Sequence, residues 1–100
     1  MLYKIGRADD IPPGQMRQHS IGESEILIVN AEGRFFALAA RCTHAGAPLV
    51  EGSLEGQVLT CPWHGSRFNV ADGSVLKGPA DEALKVYPVS LDGGVVSIQI

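Results

Sequence analysis

One hundred residues with a formal charge of −3 form a chain that is 45% hydrophobic and 19% charged. That balance permits a packed core and excludes wholesale disorder, and the mild acidity argues against nucleic acid as the main partner. The length suits one domain, residues 1–100, with a core small enough for a bound metal to add stability.

The opening "MLYKIGRADDIPPG" lacks the apolar stretch of a secretion signal. The longest aliphatic run, "ILIV" at 26–29, is too short to span a bilayer. A soluble, cytoplasmic protein with no membrane partner is therefore expected, and a disulfide between its two cysteines is disfavoured in that compartment.

Twelve glycines and six prolines punctuate short segments rich in Val, Ile, Leu and Phe, a pattern of β-strands. "LYKI" (2–5) is an edge-strand candidate, and "RADDIPPG" (7–14) a turn with one helical turn ahead of the prolines. "MRQHSI" and "SEILIVN" pair about the Gly22–Glu23 turn. The dipeptide at 32–33 then leads into "RFFALAA" (34–40). "GQVLTC" (56–61) and "SRFNV" (66–70) are further strands. "ALKVYPVS" (83–90) and "VVSIQI" (95–100) flank "LDGG", which suits a tight hairpin. About eight short strands with little helix predict a mostly β fold, a small antiparallel sandwich or barrel. Between about 41 and 80 loops dominate and carry the reactive side chains, so a loop-rich subdomain is expected on a β scaffold.

Within that region the chain places Cys42 and His44 in "RCTHAG", and after sixteen intervening residues Cys61 and His64 in "CPWHGS". Both cysteines and two of the three histidines fall in these two clusters. Two thiolates and two imidazoles suit tetrahedral zinc, which remains the plainer alternative. Zinc fingers, however, usually take two Cys from one knuckle and two His from one helix, whereas here each loop offers one of each. A binuclear centre is served by that order, because each loop can supply one ligand to each metal. One iron then receives both thiolates and the other both imidazoles, the asymmetric [2Fe–2S] pattern.

"CTH", sixteen residues, then "CPWH" followed by "GS" closely resembles the Rieske iron–sulfur family, and "KGPA" at 77–80 looks like that family's cluster-covering proline loop. The flanking strands also match in size and order. The resemblance implies a Rieske-type fold holding one [2Fe–2S] cluster, with Cys42 and Cys61 on an inner iron and His44 and His64 on an outer, exposed one. It also implies that the Ser66 hydroxyl donates to a bridging sulfide. Gly46 and Gly65 would let backbone N–H groups approach sulfide, Trp63 would shield one side, and Pro79 would belong to the covering loop. Plainer readings stand beside these: a turn hydroxyl for Ser66, packing for Trp63 and Phe68, an ordinary turn for "KGPA". His19 reads as a surface or structural histidine.

Replacing two thiolates by neutral imidazoles removes two negative charges, which is why such centres lie at about −150 to +300 mV rather than near −400 mV. Oxidised iron would make the imidazole N–H more acidic, so the potential is expected to fall at alkaline pH. High-potential members place a tyrosine where this chain has Phe68, and carry two further cysteines that staple the ligand loops. This chain has no spare cysteine. An intermediate potential is expected.

The resemblance implies a one-electron carrier between a reductase and a terminal acceptor, with a ring-hydroxylating oxygenase as a frequent acceptor. Autonomous catalysis is not expected, since a mononuclear iron site needs two His and a carboxylate and only His19 is left over. The alternative is a cluster-carrying small subunit of a larger reductase, such as a nitrite reductase. A membrane-anchored respiratory protein is disfavoured for want of an anchor and of the extra cysteine pair.

Overall fold

Strand β3, Ser24–Ala31, explains most of the architecture. From Ile26 to Ala31 every residue is buried, and because side chains alternate across a strand the run divides between two cores. Ile26 and Ile28 join Ile11, Ala37 and Ile98 on one side. Leu27, Val29 and Ala31 join Leu38, Leu49, Leu59, Phe68, Val70 and Leu84 on the other. The strand is thus the centre of a middle layer, covered on both faces.

The computed structural model describes residues 2–100. Among them are eleven strands: β1 (Leu2–Arg7), β2 (Met16–Ile21), β3, β4 (Arg34–Ala39), β5 (Ser53–Glu55), β6 (Val58–Thr60), β7 (Arg67–Asn69), β8 (Val75–Lys77), β9 (Val86–Tyr87), β10 (Val89–Asp92) and β11 (Val95–Gln99). Single 3-10 turns occupy Ala8–Asp10 and Leu49–Glu51. Three antiparallel sheets result, ordered β1-β11-β10, β2-β3-β4-β9 and β5-β6-β7-β8. The second is the middle layer. The first packs on it through Tyr3, Ile5, Val89 and Ile98, and the third through Leu59 and Phe68.

Turn chemistry sets the registers. At the tip of the β10–β11 hairpin both Gly93 (φ 57°) and Gly94 (φ 79°) are left-handed, which a type I′ turn demands and which matches the strand twist. At the β3–β4 turn Glu32 (φ 55°) and Gly33 (φ 93°) do the same, with Ala31 opposite Arg34. Beneath that turn Asn30 is buried. Its Nδ2 donates to the Ile11 carbonyl at 2.7 Å and its Oδ1 accepts the Gly33 N–H at 2.8 Å.

The mostly β, antiparallel reading holds, and β1 is an edge strand as expected. Two details differ. The 41–80 region contains the short strands β5 and β8, expected to be loop. "ALKVYPVS" is not one strand: Pro88, which has no N–H for the ladder, separates β9 from β10, and the two belong to different sheets.

Candidate metal centre

Two loops leave the β scaffold toward one another. The first, 41–48, follows β4 and closes on itself: the Cys42 N–H donates to the Ala47 carbonyl at 3.0 Å and the Gly46 N–H to the Cys42 carbonyl at 2.9 Å. Arg41 braces it from outside, with Nη1 donating to the Gly46 carbonyl at 3.1 Å and Nε pairing with Glu25 Oε2 at 2.8 Å. The second loop, 61–66, links β6 to β7 and is closed by the Cys61 N–H on the Ser66 carbonyl at 2.7 Å. Gly46 (φ 72°) and Gly65 (φ 76°) take the left-handed backbone these turns need. A Cβ at either would meet nothing within 4 Å, so backbone conformation rather than crowding selects glycine there.

The four candidate ligands separate by depth. Cys42 and Cys61 are free thiols, each 3% exposed, within one buried cluster that also holds Ala47, Leu59, Phe68 and Ala80. His44 and His64 are exposed, their rings edge to face with centroids 5.2 Å apart. Among the described residues, no three or more His, Cys, Asp or Glu side chains gather as they would around one metal ion. A closed tetrahedral zinc site takes four donors about 2.0–2.3 Å from one point; here the donors divide into a buried thiol pair and an exposed imidazole pair.

Ser66 is fully buried, and its Oγ accepts the Ala80 N–H at 3.0 Å. A hydroxyl that has accepted still holds a proton to donate. The N–H of Gly46 itself donates to the Cys42 carbonyl. Trp63, between Cys61 and His64 in sequence, is 57% exposed. Pro79 is exposed and Ala80 buried, so the "KGPA" loop has one face in solvent and its end in the core. Phe68 is packed and wholly buried, with both thiols in its cluster. His19 lies in β2, opposite Ile26.

Sequence reasoning missed Thr43, whose Oγ1 donates to the Glu82 carbonyl at 2.7 Å, and the bracing by Arg41. Nothing local announces the first: its partner is 39 residues away.

A donor set of two buried thiols and two surface imidazoles, with a buried hydroxyl proton to spare, fits an asymmetric binuclear iron–sulfur group. The chain matches the family of the Rieske [2Fe-2S] domain over residues 1–88 and belongs to it. A Rieske-type [2Fe–2S] cluster is the cofactor that goes with this family. Among curated relatives, the biphenyl dioxygenase ferredoxin subunit of Pseudomonas sp. (strain KKS102) is 41% identical, the match covering 90% of this chain and 84% of that protein. Apoptosis-inducing factor 3 of Mus musculus is 38% identical over 90% of this chain, which spans only 15% of that longer protein. A chain from the complex of reduced oxygenase and oxidized ferredoxin in carbazole 1,9a-dioxygenase superposes with a TM-score of 0.91 at 34% identity, covering 96% of this chain and 99% of that one. Among the described residues no helix is long and apolar enough to cross a membrane.

Proposed function

We propose that this chain is a cytoplasmic one-electron carrier, not itself an enzyme. On this reading it takes electrons from a reductase and delivers them to a terminal oxygenase. The likeness to dioxygenase ferredoxin components, one seen with its oxygenase, supports the choice of partner. The observation that carries the reading is the separation of two thiols in the core from two neighbouring imidazoles at the surface.

When bound, the cluster supplies a centre that gains and loses one electron. The residues supply its surroundings. Cys42 and Cys61 would hold one iron inside, where Leu59, Phe68 and Ala47 keep water away. His44 and His64 would hold the other iron and keep their rings exposed, so that a partner can approach closely. Ser66 would direct its remaining hydroxyl proton at a sulfide, and its bond to Ala80 orients it for that. Trp63 would cover one flank and offer a partner an apolar contact. A redox encounter of this kind needs only a small, transient interface. The cluster-bearing part, about 41–80, and the strands around it are read as one domain over 1–100.

Anaerobically reconstituted protein should contain two irons per polypeptide, be brown, and give a reduced EPR signal of low average g value. Cys61→Ser and His64→Ala should each abolish that signal. A colourless, zinc-containing protein would overturn the reading. Gel filtration of the native material distinguishes the free carrier from a subunit bound permanently to a larger reductase.

A further inference from the structure

We propose that residues 80–84 form a clasp that holds the two ligand loops in register, with Thr43 and Ser66 as its polar contacts and Thr43 as an unassigned positioning residue. The inference rests on the ligand reading above. Among the described residues, no hydrogen bond joins the 41–48 loop directly to the 61–66 loop, and both cysteines are free, so no covalent staple joins them either. Each loop is instead bonded to the same passing segment. Ser66 Oγ accepts the Ala80 N–H at 3.0 Å, and two residues further on the Glu82 carbonyl accepts Thr43 Oγ1–H at 2.7 Å.

The segment is a firm base for this. The buried side chains of Ala80 and Leu84 lie in the same core cluster as both thiols. The Leu84 N–H donates to the Gly73 carbonyl at 2.8 Å, and the Lys85 carbonyl accepts the Ala39 N–H at 2.8 Å. The chain from 80 to 85 is thus fixed at both ends and bonded to both ligand loops. Thr43 stands between Cys42 and His44, so its bond to Glu82 limits movement of both. Loss of that bond frees the first loop relative to the second while leaving the packed cluster intact.

The test uses the loaded protein and measures anaerobic transfer of iron to a colorimetric chelator, together with the reduction potential and the thermal midpoint. Thr43→Val keeps the side-chain shape and removes the donor; Thr43→Ser restores it. Ser74→Ala removes an exposed hydroxyl bond to Asp72 in a neighbouring turn and serves as the control. Thr43→Val should release iron about two- to tenfold faster, the range spanned by one net hydrogen bond, with an altered potential, and with a thermal midpoint that falls no further than that of Ser74→Ala, which also loses one exposed hydrogen bond. Thr43→Ser should match wild type, and Ser74→Ala should match it in iron release and potential. Release from Thr43→Val at the wild-type rate overturns the clasp. So does equal acceleration in Thr43→Ser or Ser74→Ala, or an acceleration that comes with a thermal midpoint below that of Ser74→Ala. Wild-type protein that takes up no iron overturns the ligand reading as well, so the two failures are distinguishable.

Discussion

Ser66→Ala removes one oxygen from a place where water cannot substitute. Ser66 is 0% exposed and Ala80 is 4% exposed, with the Ala80 N–H donating to Ser66 Oγ at 3.0 Å. Deleting the acceptor strands a buried N–H, which costs about 1–3 kcal/mol. For a domain of this size each kcal/mol moves the thermal midpoint by roughly 4–8 °C, so a fall of at least about 4 °C is expected. The hydroxyl proton has a second task. A hydrogen bond to a charged acceptor nets about 1.5–3 kcal/mol, and if half of that discriminates between oxidation states, the potential falls by about 30–60 mV, at ~59 mV per ~1.4 kcal/mol for one electron. Calorimetry reads the first effect and film voltammetry the second. An unchanged midpoint refutes the Ala80 anchor, and an unchanged or higher potential refutes the sulfide donor.

Phe68→Tyr introduces a phenol into the buried cluster that contains both thiols; by the same conversion it should raise the potential by tens of millivolts, and a fall in voltammetry contradicts this. Gly73→Ala should destabilise by more than the about 1–2 kcal/mol of left-handed backbone alone, because its φ is 76° and its new Cβ would run into the Leu84 carbonyl oxygen. Gly22→Ala, with φ 61° and open space around it, should cost only the backbone part, and urea midpoints that rank the two the other way reject the steric account. Asp72 accepts both the Ser74 N–H at 2.9 Å and the Ser74 hydroxyl at 2.7 Å, and the hydroxyl and backbone bonds hold its carboxyl below the ordinary value of 3.8. Its contribution is therefore complete above 3.8 and lost as the pH falls through the folded value, so Asp72→Asn should flatten the acid limb of stability against pH; an unaltered limb shows that the turn gains nothing from the charge.

What the chain order discloses, and what it withholds, follows from range. The hairpins were legible because "LDGG" and the Gly22 and Gly33 turns carry their geometry in one or two residues. The ligand pairs were legible because each sits within four consecutive positions. β5 and β8 were not, since three-residue strands with largely exposed side chains leave little alternation to read. The break at Pro88 could have been seen, because proline cannot serve a central ladder. The bonds of Ser66 to Ala80 and Thr43 to Glu82 span 14 and 39 residues, and no local pattern encodes them.

Strand β3 has one more consequence. Its two faces are both aliphatic, so sliding it by one position would exchange Ile26 and Ile28 for Leu27 and Val29 at almost no loss of greasy surface. Hydrophobicity alone therefore sets its alignment weakly. The exception is Asn30: a one-step slip would carry its amide away from the Ile11 carbonyl and the Gly33 N–H and leave polar atoms stranded in oil. A single carboxamide thus reinforces the flanking turns as a detent that keeps this ribbon from settling in the wrong notch.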